Sequence, residues 1–258
     1  MGAFRILVAD DHPIFRFGLC SMLASHEGWE VCGEAVDGRD AVEKCRQFEP
    51  DLLILDICMP ELNGVDAACR ILKHNPDQAI LVLTAVDSEH VIRECLDLGI
   101  RGWVFKSDAA QYLITAVETL QRQKTIFSSR VSELIMDGYR RHRAGPTPDN
   151  VTRLSPRERE VVQLVTEGKA SKEIATILNV SLSTAETHRS NIFRKLRLHS
   201  IAELVLYAVR NGIVHVHYPS ALPMPNPRAE RNRSHVLSSD AALPSGNGRA
   251  NVVSRQLN

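Results

Sequence analysis

The chain has 258 residues, 44% of them hydrophobic and 24% charged. That is the make-up of a globular protein with room for two small domains, and it excludes a fibrous or wholly disordered chain. No apolar run reaches the roughly 18 to 20 residues that a membrane helix needs, and Met1-Gly2-Ala3-Phe4-Arg5 lacks the apolar stretch of a secretory signal, so no membrane partner and a cytoplasmic location are expected.

The overall charge of zero conceals a division. Residues 1–122 hold 11 Lys/Arg against 20 Asp/Glu, a net −9, whereas the remaining residues hold 20 against 11, a net +9. An acidic half joined to a basic half implies two jobs, with a polyanion as partner of the basic one. All six cysteines (Cys20, Cys32, Cys45, Cys58, Cys69 and Cys95) lie in the acidic half, without C-x-x-C pairs or histidine neighbours at ligand spacing. They read as unpaired thiols in a reducing compartment.

Over residues 1–122, short apolar runs alternate with segments of helical spacing. The runs at 4–9, 30–35, 52–55, 79–83 and 102–105 predict five strands, the third and fourth nearly continuous apolar as in parallel strands covered on both faces. Five such βα units predict an α/β doubly wound parallel sheet, whose ligands sit beyond the carboxyl ends of the strands. Residues 123–152 read as a bridge, with a helical piece carrying Val131, Leu134 and Ile135 and then a Pro- and Gly-containing linker.

Residues 153–216 predict a small all-α domain. Ser155-Pro156-Arg157-Glu158 is a helix start in which Ser caps, Pro suits the first turn and Glu returns the cap. Lys172 to Leu178 makes a second helix, Asn179-Val180-Ser181 a turn, and a longer helix runs to about Leu196, followed by a fourth from Ile201 to Val209. Residues 217–258, with five Pro, six Ser, five Asn and five Arg, hold too little apolar surface to offset ordering entropy and read as a disordered tail.

Three carboxylates are placed to meet. Asp10 and Asp11 follow the first strand and Asp56 ends the third, and these strands are neighbours in such a sheet. Like charges about 5 Å apart repel by roughly 3 kcal/mol at an effective dielectric near 20, which calls for a divalent cation, and oxygen donors suit Mg²⁺. Thr84 and Lys106 end the fourth and fifth strands. A hydroxyl and an ammonium beside metal-bound carboxylates form a pocket for a transferred phosphoryl group, with Asp56 as the nucleophile. A haloacid dehalogenase-type phosphatase also places an Asp nucleophile on such a sheet, but pairs it with a second Asp in D-x-D; Cys58 occupies that position here, which argues against hydrolytic turnover.

Ala9-Asp10-Asp11-His12-Pro13, Leu55-Asp56-Ile57-Cys58-Met59-Pro60-Glu61-Leu62-Asn63-Gly64, Leu83-Thr84-Ala85 and Gly102-Trp103-Val104-Phe105-Lys106 resemble the receiver domain of bacterial two-component response regulators over about residues 4–122. The resemblance implies a flavodoxin-like fold and phosphorylation of Asp56 by a sensor histidine kinase. It also implies Mg²⁺ held by Asp11, Asp56 and the backbone carbonyl of Cys58, with Asp10 acting through water, and Thr84 with Trp103 as a switch pair. Two positions depart from the pattern: Ser107 stands where many receivers have a proline that forms a cis bond, and Trp103 replaces the commoner Tyr or Phe.

In the basic half, a short helix, a turn and a longer polar helix make a helix-turn-helix. With Ile192 at the centre of the buried face, Thr187, Ser190 and Arg194 point outward, flanked by Glu186 and Arg197. Leu154 to Val161, Lys172 to Ala175 and Ser183 to Leu196 resemble the LuxR-type effector domain of NarL/FixJ response regulators. By that likeness Glu186, Thr187 and Ser190 read base edges of double-stranded DNA, Arg189, Arg194 and Lys195 contact phosphates, and the last helix forms a homodimer upon phosphorylation. Glu186 has a second reading, returning a cap to Ser183. Ala170 stands where the family has a capping Ser, a loss of about 1 kcal/mol unless Ser171 takes over. The function these features imply is a phosphorylation-dependent, DNA-binding transcription regulator rather than an enzyme, with a phosphorelay or protein-interaction module that does not bind DNA as the alternative.

Overall fold

The computed structural model describes residues 2–142 and 154–214, which belong to one compact unit. The predicted tail, 217–258, and most of the predicted Pro- and Gly-containing linker lie outside the described residues.

Strands β1 (Phe4–Ala9), β2 (Trp29–Ala35), β3 (Leu52–Leu55), β4 (Ala79–Thr84), β5 (Gly102–Phe105) and β6 (Ile126–Phe127) form a sheet in the order β2-β1-β3-β4-β5-β6, every pair parallel. The sequence reading expected five strands. The sixth is only two residues long and adds to the β5 edge, too short to show an alternation of its own.

Helices α1 (Pro13–Ala24), α2 (Gly38–Phe48), α3 (Gly64–His74), α4 (Glu89–Asp97) and α5 (Ala109–Gln121) cover the sheet on both faces. Strand alternation sorts the core. Leu7, Ala9, Leu53 and Leu55 face α2 and α3, whereas Ile6, Val8, Leu52 and Ile54 face α1 and α5. Local chemistry starts two of these helices. Asp37 caps α2 by accepting from the Arg39 and Asp40 amides, and Asn63 caps α3 by accepting from the Asp66 amide. A further helix, α6 (Ser129–His142), packs Val131, Leu134 and Ile135 into the cluster that holds Trp103 and Val91.

Residues 154–214 carry α7 (Pro156–Thr166), α8 (Ser171–Ile177), α9 (Leu182–Leu196) and α10 (Ile201–Arg210) around a core of Val161, Leu164, Ile174, Ala185, Ile192 and Leu204. The capping box at α7 forms as read from sequence: Ser155 Oγ accepts from the Glu158 amide, and Glu158 accepts from the Ser155 amide. At α8, Ala170 is the N-cap without a side-chain acceptor. Ser171 is already the first helical residue and does not take over, so only Glu173, accepting from the Ala170 amide at 2.7 Å, supplies half of a box. The cap proposed between Ser183 and Glu186 does not form. Ser181 is the N-cap of α9, accepting from the Thr184 amide, and Ser183 lies inside the helix.

Candidate functional site

Parallel pairing of β1 with β3 brings their carboxyl ends together, and with them three aspartates. Asp10 and Asp56 are each 1% exposed; Asp11 is partly open to solvent. Carboxylate oxygens of Asp10, Asp11 and Asp56, together with a ring nitrogen of His12, lie within 4.8 Å of one another. Lys106, just past β5, places its Nζ 2.7 Å from Asp56 Oδ2 and 2.8 Å from Asp10 Oδ2, with its ammonium 4.9 Å from the centre of the Phe15 ring. The Cys58 amide donates to Asp56 Oδ1 at 3.2 Å, and the His12 amide to Asp10 Oδ1 at 2.8 Å. His12 Nδ1 stands 2.7 Å from Asp11 Oδ1.

Burial pushes the Asp56 carboxyl above its ordinary range, and the Lys106 ammonium beside it pulls the other way. Burial works to lower the Lys106 ammonium, yet the two carboxylates outweigh it and hold the group above its ordinary value. The donor set is oxygen-rich, net negative and open on the Asp11 side, which suits a hard divalent cation that keeps several waters. Thr84 ends β4 on the same rim, fully buried, and its Oγ1 accepts from the Val86 amide at 3.3 Å. Trp103 is 1% exposed on the neighbouring strand, under α6. The peptide bond between Lys106 and Ser107 is trans.

On the helical domain, Glu186, Thr187, Ser190 and Arg194 all lie exposed along α9, with Arg189 half-buried. Arg194 donates to Asn191 Oδ1 at 2.7 Å, and the Thr187 hydroxyl donates back to the Ser183 carbonyl. Lys195 is placed differently from its fellows: its Nζ is 2.7 Å from Glu158 Oε2, which ties the end of α9 to the start of α7.

Sequence reasoning identified the rim but not its neighbours. Phe15 against Lys106 follows from α1 geometry alone. The His12 contact was detectable, because His12 directly follows the two aspartates.

A doubly wound sheet with an acidic rim, followed by a helix-turn-helix domain, defines a response regulator. Residues 6–118 match the response regulator receiver domain family, and residues 152–208 match the bacterial regulatory proteins of the luxR family. The chain belongs to the NarL/FixJ family of response regulators, a family of transcription regulators rather than enzymes. It is 35% identical over 214 residues to the oxygen regulatory protein NreC of Staphylococcus carnosus, covering 81% of this chain and 99% of NreC. It is 34% identical over 210 residues to the transcriptional regulatory protein MctR of Rhizobium johnstonii, covering 81% and 95%. Among solved structures, RcsB of Salmonella enterica serovar Typhimurium, bound to promoter P1flhDC in the presence of the phosphomimetic BeF3-, aligns with a TM-score of 0.53 and 30% identity over 83% of this chain and all of that one. No helix among the described residues is long and apolar enough to cross a membrane.

Proposed function

We propose that the chain is a phosphorylation-dependent transcription regulator in which residues 1–122 receive a phosphoryl group on Asp56 from a histidine kinase, residues 123–152 link, and residues 153–216 bind double-stranded DNA as a homodimer in a bacterial cytoplasm. The convergence of Asp10, Asp11, Asp56 and Lys106 in one cleft carries the reading. Asp11, Asp56 and the Cys58 carbonyl would hold Mg²⁺, with Asp10 acting through water. When bound, the ion supplies charge neutralisation for the incoming phosphoryl oxygens. The chain's own groups do the rest. An Asp56 carboxylate oxygen attacks phosphorus while the bond to the kinase histidine breaks, giving an acyl phosphate. Lys106 pairs with one phosphoryl oxygen and the Thr84 hydroxyl turns from the Val86 amide to donate to another. Trp103, on the strand beside Thr84, reports the change. Asp56→Asn is expected to abolish labelling by acetyl phosphate with Mg²⁺, and undiminished labelling of the variant would overturn the assignment. Acyl-phosphate hydrolysis sustained beyond one equivalent would instead favour an enzyme.

For DNA, we assign Glu186, Thr187 and Ser190 to base edges and Arg189, Arg194 and Lys195 to phosphates, with α10 as the dimer helix. The exposed apolar side chains Ile201, Leu206 and Val209 on α10 support that last assignment. The capture of Lys195 by Glu158 is the observation that favours a module without DNA binding. Salt separates the two. With Arg189, Arg194 and Lys195 of two protomers on phosphates, log affinity against log salt is expected to fall with a slope of about −5; affinity that is absent or flat with salt supports the interaction module.

A further inference from the structure

Helix α9 carries a single acidic residue, Glu186, and carries it on the side turned to solvent. Ser183, Glu186, Thr187, Ser190 and Arg194 are all exposed, opposite the buried Ala185 and Ile192. Along the helix the charges are sorted. The cations Arg194 and Lys195 occupy the last turn, whereas Glu186 sits near the amino-terminal end, the part of such a helix that meets base edges in a major groove. A carboxylate on a face turned to a polyanion is repelled by every phosphate near it, so it weakens binding unless a donor meets it there.

The fold makes no use of this carboxylate. The N-cap of α9 is closed by Ser181, which accepts from the Thr184 amide at 3.1 Å, so Glu186 has no cap to return. Among the described residues it takes no hydrogen bond and no ion pair, not even from Arg189 one turn further along. The contact between the two folded parts of the chain is built elsewhere. Glu160 of α7 meets Arg39 of α2 at 2.9 Å and Arg70 of α3, and Gln163 accepts at 2.8 Å from the Asn63 amide, in the loop between β3 and α3. None of these bonds comes from α9.

We propose that Glu186 fixes one letter of the DNA site, accepting from the 4-amino group of a cytosine in the major groove of each half-site. The inference rests on α9 being the DNA-reading helix. A carboxylate only accepts, and the four bases answer it differently. Guanine presents N7 and O6, and thymine O4 beside its methyl group, so both set an acceptor against it. Adenine has an amino group, but N7 lies beside it and faces the second carboxylate oxygen. Cytosine offers the amino group alone. The neighbours leave their letters open, because hydroxyls donate or accept, and the Thr187 hydroxyl already donates to the Ser183 carbonyl at 2.8 Å. Glu186 therefore discriminates by exclusion as much as by attraction, since any other base leaves a charged acceptor unpaired in the groove.

Selection from random DNA duplexes by the full chain, with acetyl phosphate and Mg²⁺ present, tests this in wild type, Glu186→Gln and Glu186→Ala. Wild-type sites are expected to hold one fixed cytosine per half-site, and replacing it is expected to weaken binding about tenfold. Glutamine pairs with adenine N6 and N7, so Glu186→Gln is expected to move that one position to adenine. Glu186→Ala is expected to lose the preference there and to bind the cytosine-substituted duplex more tightly than wild type does, with the other positions keeping their letters. Variants that select the wild-type letter at every position overturn the inference and leave DNA binding standing. So does a preference that Glu186→Ala loses but that is for a base other than cytosine. Wild type that enriches no duplex overturns the DNA-binding reading itself, and the role of Glu186 with it.

Discussion

Gly64 opens α3 directly beneath the acidic rim, and a side chain there would collide with the Asp56 carbonyl oxygen and stand 2.8 Å from Ile57 Cα. The obstacle is backbone, which cannot swing aside as a side chain would. Gly64→Ala is expected to cost about 1–3 kcal/mol in urea unfolding and to slow labelling of Asp56 by displacing its loop. The cysteines give a pH-dependent prediction. Burial pushes the Cys20 thiol up to about 11 and the Cys45 thiol up to about 12. The thiolate is the form that reacts, so alkylation of Cys20 should be slow at pH 8 and accelerate toward pH 11, followed by mass spectrometry of the modified peptide; fast labelling at pH 8 would contradict that burial. Asp10, Asp11, Asp56, Thr84 and Lys106 were legible because each follows an apolar strand, and strand ends share a rim. Glu160 and Gln163 were not. On an isolated amphipathic helix they look like any solvated polar residues, and the facing loop and the arginines of α2 and α3 give them their partners beyond α7.

At the scale of elements, most helices announced themselves by periodicity, and their starts by capping chemistry. Serine capping was misassigned at α9, because Ser181 and Ser183 both precede a helical pattern and only the backbone decides which lies outside it. Ala170 offers the converse case. Its backbone is extended, as an N-cap requires, and Glu173 already holds its amide, but no side-chain oxygen meets the amides of the first turn of α8. Ala170→Ser is expected to stabilise the helical domain by about 1 kcal/mol, visible as a raised melting temperature. The β6 strand escaped notice for want of length. Two residues carry no period, and its pairing with β5 is set by where α5 ends.

Over the whole molecule, the division of charge announced two halves, and the doubly wound parallel sheet followed from the alternation of strands with helices. How the halves touch was not legible, since it depends on side chains from four separate helices, α2, α3, α4 and α7, and one loop. The same holds for α6. Its Val131 is fully buried against the cluster around Trp103, and Arg130 lies 4.6 Å from the centre of the Phe105 ring while pairing with Asp87 at 2.8 Å. A fragment stopped at Arg122 would strip that roof from the indole; one continued through His142 keeps it. The shorter piece is expected to melt at lower temperature and to emit at longer wavelength than the longer one. Splicing a foreign regulatory head onto this scaffold, or lending this one to another, therefore belongs downstream of His142, so that the transplanted sensor travels with its own cover.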